Sequence, residues 1–224
     1  MATKQTRRQI LKIKHIKQKR KKNKRALLIA LGVVLLISLA IILPNLLRAK
    51  PNYKSSSTGF TLGNPDAPIS VVNFSSFYCG YCELFSQTDE PEFIKNYVDT
   101  GDVFYRYVNL AFSNDEETLN AGKAAYCAAE QNLFFNMKPS FYSASREQDG
   151  FSISNIIRMA EAAGVDREQF EICLLENETL EKALSDDILF AQSIGLTGTP
   201  SFLVNDQLVF SNQLIPLVES LLEQ

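Results

Sequence analysis

Phe74-Ser75-Ser76-Phe77-Tyr78-Cys79-Gly80-Tyr81-Cys82 decides how this chain is read. It is a short apolar run that delivers two cysteines, spaced C-x-x-C, into a pattern that continues as a helix. That spacing puts the two sulfurs one helical turn apart, within reach of a mutual bond. A thiol at a helix N-terminus faces unpaired backbone N–H groups and the positive end of the helix dipole, and both favour the thiolate. The thiolate is the reacting form, so the position makes Cys79 a nucleophile. Far downstream, Gly198-Thr199-Pro200-Ser201-Phe202 places a proline at the opening of a new apolar strand. The two segments together point to thiol–disulfide chemistry.

Working outward, Ile69 to Phe74 is a strand-length apolar run with β-branched Ile69, Val71 and Val72, as expected of a central strand. Gly63-Asn64-Pro65-Asp66-Ala67-Pro68 before it is a turn cluster. The helix opened by Cys79 is expected to run toward Tyr97, bent at Pro91. Val103 to Leu110 reads as a second strand, parallel to the first through a right-handed crossover. Residues 114–194 read almost entirely as helix, with helices over Thr118–Gln131, Ser154–Ala163, Arg167–Glu176 and Glu178–Ile194. Ser152 or Ser154 and Asp166 are the expected caps, and Gly164 and Gly195 the expected stops. Strands over Ser201–Val204 and Gln207–Phe210, turned at Asn205-Asp206, precede a closing helix over Leu214–Leu222. Two strands before the helical block and two after it predict one sheet interrupted by an insertion over about 113–194.

The N-terminus bears on compartment. Residues 1–25 carry twelve Lys or Arg and no acid, and Ala26 to Leu43 run uncharged and apolar. Eighteen residues at about 1.5 Å each span roughly 27 Å, enough to cross a hydrocarbon core. Charge ahead of the span keeps the basic tail cytoplasmic and sends the rest outside. The expectation is an uncleaved transmembrane signal anchor at 26–43, a tether at 44–58 and one domain over 59–224. A cleaved signal peptide is the competing reading, although no small-x-small site follows Leu43. All 25 acidic residues lie after residue 50 and only eight of the 23 basic ones after residue 55, so the exported part carries 8 − 25 = −17. Such a domain is not expected to bind nucleic acid.

The Gly-Asn-Pro-Asp-Ala-Pro lead-in at 63–68, the C-x-x-C at 79–82, the helical insertion and the Thr-Pro at 199–200 resemble the DsbA-like thiol–disulfide oxidoreductases of the thioredoxin superfamily. The resemblance covers roughly residues 59–224. It implies an α/β thioredoxin-like fold with a central mixed sheet. It also implies Cys79 as attacking sulfur, Cys82 as resolving partner, and a cis Thr199–Pro200 bond facing Cys79. Thr199 would pair through its backbone with an extended substrate, and Gly80 and Tyr81, also on the substrate-binding side, would tune the potential. Tyr78 and Tyr81 flank the sulfurs and are the candidates for an apolar peptide-binding rim. By the same resemblance, the substrates would be cysteine-containing exported proteins, and an integral-membrane quinone-linked partner would reoxidise the pair. No cofactor or metal is expected: zinc would need two further ligands, and the only histidine is His15 in the basic tail.

Two departures from the family pattern carry expectations of their own. Gly80-Tyr81 is the dipeptide typical of DsbC-like isomerases rather than the Pro-His of strong oxidants, so a reductase or isomerase is the alternative direction. Asn73 stands where many relatives have a buried acid, and an amide cannot act as a general base. Four cysteines in an exported domain suggest full pairing, which leaves Cys127 and Cys173 as a structural disulfide. Free buried thiols and a second redox pair are the alternatives.

Overall fold

The computed structural model describes residues 59–112 and 115–224. The basic tail, the expected signal anchor at 26–43 and the tether at 44–58 lie outside the described residues. Among the described residues, no helix is long and apolar enough to cross a membrane.

Five strands form one mixed sheet: β1 (Thr61–Leu62), β2 (Ile69–Ser75), β3 (Val103–Asn109), β4 (Ser201–Val204) and β5 (Gln207–Phe210), in the spatial order β1-β3-β2-β4-β5. β2 and β3 run parallel, with Ile69 opposite Val103 and Ser75 opposite Asn109. The remaining pairs are antiparallel, including Val71 opposite Val204. β2 is therefore paired on both edges, which suits its Ile/Val-rich sequence. β1 is a strand the sequence pattern does not reveal. Two residues long, it is too short for periodicity, and it ends where Gly63 adopts φ +88°, a conformation glycine takes without cost.

The helix after the C-x-x-C is broken earlier than the sequence predicts. α1 (Gly80–Gln87) ends at Thr88, α2 (Asp89–Phe93) follows, and a π-type turn covers Ile94–Val98. The cause is Pro91: in one continuous helix its ring would clash with the carbonyl of Gln87, four residues earlier. In the first turn of a new helix its missing N–H is not needed.

The helices between β3 and β4 are α3 (Glu116–Glu130), α4 (Phe134–Ala144), α5 (Ile153–Ala162), α6 (Arg167–Glu176) and α7 (Leu180–Ser193), and α8 (Ser211–Leu222) closes the chain. α4 goes beyond the helices expected from sequence; Pro139 inside it obscures the pattern. α8 opens three residues earlier than expected, its start marked by Gln213 Oε1 accepting from the Phe210 N–H at 3.3 Å. Ser152 stands at the N-cap of α5, and the Asp166 side chain caps α6 by accepting from the Gln169 N–H at 3.0 Å. Gly164 and Gly195, at φ +84° and +76°, end α5 and α7.

Two apolar cores result. One joins Phe77 and Tyr107 to Phe134, Met137, Phe141 and Phe151 of the helical block. The other joins Ile69, Val71 and Phe202 of the sheet to Phe85, Phe93, Leu214 and Val218 of α1, α2 and α8. Cys127 of α3 and Cys173 of α6 are bonded, with a Cα–Cα distance of 5.7 Å. A bridge over a sequence separation of 46 is expected to stabilise by about 4 kcal/mol through loop closure. Replacing both cysteines by alanine should lower the unfolding free energy by that amount in denaturant titration. Thiol exchange should persist in the folded variant, and a loss well below 1 kcal/mol would sink the expectation.

Between α3, α7 and β3 lies a buried polar cluster. Tyr126 Oη donates to Asp187 Oδ2, and the Arg106 guanidinium acts on both groups electrostatically. Burial pushes the Asp187 carboxyl from 3.8 up to about 6, against the opposing pull of Tyr126 and Arg106. An acid with a raised folded pKa stabilises fully below its unfolded pKa, and that contribution is lost as pH rises through the folded value. A displacement of this size corresponds to about 3 kcal/mol. Subtracting the stability curve of Asp187→Asn from that of the wild type should leave a decline between about pH 4 and 6. A flat difference curve would refute it.

Candidate active site

β2 runs straight into the N-terminus of α1, and this junction places the two cysteines. Cys79 is the N-cap residue, with extended backbone (φ −99°, ψ 111°), and its Sγ accepts from the Cys82 N–H at 3.4 Å. One turn on, Cys82 is fully buried. Both carry free thiols. The Thr199–Pro200 peptide bond is cis, and the Thr199 carbonyl accepts from the Cys79 thiol at 3.3 Å. Residues 120 positions apart thus meet at one sulfur. The sheet makes the juxtaposition, because β4 pairs with β2 and starts where β2 ends.

The two thiols have opposite electrostatics. Partial burial pushes Cys79 up, but the Thr199 side chain, the Cys82 thiol and the Cys82 and Tyr81 backbone groups outweigh it, and the thiol lies below its ordinary value. Cys82 is pushed up to about 12, first by burial and then by Cys79 beside it. The Thr199 carbonyl contact is one only the protonated Cys79 can make, whereas N–H donors to Sγ favour the thiolate.

Gly80 adds no side chain to this cluster, and Tyr81 reaches it only through its backbone. A Cβ added at Gly80 would meet no atom within 4 Å, and Tyr81 is 77% exposed. Nothing steric requires glycine between the cysteines. Tyr78 lies differently: its ring packs 5.7 Å from Phe151 while its other side borders a groove beside Cys79.

Asn73 is buried and fully engaged. Its Nδ2 donates to Tyr105 Oη at 2.7 Å, and its Oδ1 accepts from Ser75 Oγ at 2.8 Å. Tyr105 Oη in turn donates to Glu90 Oε1 at 2.7 Å, and Glu90 forms a buried ion pair with Lys138 of α4. The Lys138 ammonium lies 5.5 Å from the centre of the Tyr107 ring and 5.4 Å from that of Phe135. A buried carboxylate therefore exists beneath the sheet, supplied by α2 rather than by β2. The sequence pattern gave no sign of it, because Glu90 and Lys138 are 48 residues apart and each reads as a surface residue.

The groove beside Cys79 has a volume of about 520 Å³ and is lined by Tyr78, Phe112, Asp115, Glu117, Thr118 and Thr199, among others. Of these the sequence singled out Thr199 as a site residue and Tyr78 only as a candidate for an apolar rim. Asp115 caps α3, accepting from the Thr118 N–H at 2.9 Å and from Thr118 Oγ1 at 2.8 Å. An acidic cap ahead of an Ala-rich helix is a start signal that would have placed α3 two residues earlier, and the acidic pair with it.

Fold and site together define a thioredoxin-type protein with a dithiol at a helix N-terminus. The family model described as Thioredoxin matches residues 55–224, and the chain belongs to that family. A Bacillus anthracis protein named disulfide bond formation protein D is 30% identical over 196 residues, covering 81% of this chain and 89% of that protein. A Rickettsia bellii protein named as a protein-disulfide oxidoreductase is 28% identical over 167 residues, 72% of this chain. The chain spans only 62% of that relative's length. Among solved structures, Chlamydia trachomatis DsbA superposes with a TM-score of 0.64 at 18% identity, over 78% of this chain and 97% of that one. That likeness shows the shared fold.

Proposed function

We propose that this protein is an extracytoplasmic thiol–disulfide oxidoreductase that introduces disulfides into exported proteins through Cys79 and Cys82. The observation that carries the reading is the contrast between the two sulfurs. Cys79 is accessible, capped by N–H groups and lowered in pKa, whereas Cys82 is buried and pushed up to about 12.

In the disulfide form of the pair, a substrate thiolate attacks Cys79 Sγ. The Cys79–Cys82 bond breaks, and Cys82 leaves and takes up a proton. A second substrate thiolate then attacks the substrate sulfur of the mixed disulfide, and Cys79 leaves as thiolate. Two electrons pass from substrate dithiol to the cysteine pair, and the substrate gains one disulfide. A low leaving-group pKa at Cys79 speeds the second step. The competing escape, attack of Cys82 on Cys79, needs a Cys82 thiolate, which burial of that sulfur disfavours. The mixed disulfide therefore partitions toward oxidised product.

Thr199 and Pro200 border the reacting sulfur, and the Thr199 backbone would pair with the substrate chain. The apolar run at 26–43 would act as a single-pass anchor, with the basic tail cytoplasmic and the domain over 59–224 outside. An integral-membrane quinone-linked protein would then restore the disulfide, closing the electron balance.

A reductase or isomerase is the second reading, favoured by Gly80-Tyr81, which lacks the side chains of the strongest oxidants. Reduction potential separates the two. Equilibration of the soluble domain with glutathione should give a value of about −120 to −180 mV. A value near about −270 mV would put it with the reductants and overturn the proposed direction.

A further inference from the structure

The groove beside Cys79 has a composition that the exchange chemistry does not require. One wall is aromatic: Tyr78, 46% exposed and fixed against Phe151, and Phe112, 61% exposed. The acidic lip is the start of α3, whose N-cap Asp115 and first-turn Glu117 line the same groove. No lysine or arginine is among its lining residues. The two carboxylates act on the Tyr78 hydroxyl, which also reaches the Thr118 side chain, so acidic lip and aromatic wall belong to one site. Cys79 and Thr199 also line the groove, so a chain whose cysteine reaches Cys79 lies beside it.

A groove lined by both aromatic rings and carboxylates suits one side-chain class. Lysine and arginine carry long apolar stems beneath a charged head, and the stem packs on apolar surface while the head stays near water and counter-charge. A cation near an aromatic face adds further attraction. The groove, of about 520 Å³, is open to solvent, so the charged head can stay near water while the stem packs on the rings.

We propose that this groove is a specificity subsite that selects unfolded substrate segments with a basic residue close to the reacting cysteine. Tyr78 and Phe112 hold the stem, and Glu117, with Asp115 behind it, holds the charge. Asp115 is already engaged as the helix cap, so Glu117 carries the larger part of the selection. The inference rests on the oxidase reading, since it names the substrates of that same site.

The test uses the oxidised full-length protein and three sets of short peptides. Each peptide has two cysteines and either Lys, Gln or Glu at one position within three residues of the first cysteine. Lys peptides should be turned over with kcat/KM about 5- to 10-fold above their Glu counterparts at low salt, with Gln between, and the gap should shrink by 0.5 M salt. Glu117→Lys should remove or invert the preference. Glu223→Lys, the same charge change at a residue that does not line the groove, should leave it in place. Melting temperatures of both variants exclude a folding defect as the cause. Equal turnover of all three sets would overturn the subsite while leaving the oxidase reading intact. A preference equally sensitive to Glu223→Lys would assign it to overall charge and also overturn the subsite. No oxidation of any peptide would overturn both readings.

Discussion

Cys79→Ser should abolish disulfide exchange while leaving the fold intact, a loss on the order of 10³-fold or more in rate. Serine keeps the N-cap hydrogen bond to the Cys82 N–H, because a hydroxyl is a good cap, so α1 should remain formed. What disappears is the only accessible sulfur of the pair. Cys82 cannot replace it, being fully buried and raised to about 12. Cys82→Ala gives the complementary result. Given a disulfide-bonded peptide, the Cys79 thiolate attacks one sulfur, the other leaves as thiolate, and without Cys82 the protein cannot release the mixed disulfide internally, so the covalent adduct should accumulate on non-reducing gels and by mass. Turnover by Cys79→Ser at near wild-type rate, with an unchanged melting curve, would remove the basis of the proposed chemistry. Unimpaired peptide binding without exchange in the wild type would instead favour a pure binding module.

The second large effect is on stability. Lys138→Met should destabilise the domain by about 3–5 kcal/mol, because it strands the Glu90 carboxylate in the core. Glu90 is 2% exposed and Lys138 5%, so neither charge can turn to water. Adding Glu90→Gln should recover most of the loss. The new amide carbonyl still accepts from Tyr105 Oη, and no charge is left buried. The coupling between the two changes, read from a double-mutant cycle in denaturant, should exceed about 2 kcal/mol. An additive cycle would mean that the pair is not a unit, and a mild single-variant effect would mean that water reaches Glu90. Removing the ammonium should also leave the Cys79–Cys82 junction in place, since α4 does not form it.

Elements whose signals are local could be read from the residues alone. The apolar run into Cys79-Gly80-Tyr81-Cys82 specified β2 and the start of α1, because strand period and C-x-x-C spacing are read within one dozen residues. Asp166, Gly164 and Gly195 marked their helix ends for the same reason: capping and positive φ are properties of single positions. The helical stretch between β3 and the Thr-Pro strand was legible in composition. The break at Thr88 was not placed, although its cause, Pro91, is plain in the sequence.

Tertiary structure decided whatever depends on residues distant in the chain. The strand order, with β4 beside β2, brings the Thr199 carbonyl to 3.3 Å from the Cys79 sulfur across 120 positions. β1 exists only because β3 offers an edge to pair with. The ion pair of Glu90 and Lys138, the Tyr126–Asp187 contact and the acidic lip of the groove all join charged or polar groups that look solvated in sequence. A charge is classed as surface or core by its partners, and partners are a property of the fold. The reactivity of the cysteines divides the same way. Spacing and the helix start identified which sulfurs react, whereas the separation of their pKa values came from unequal burial, which only packing sets.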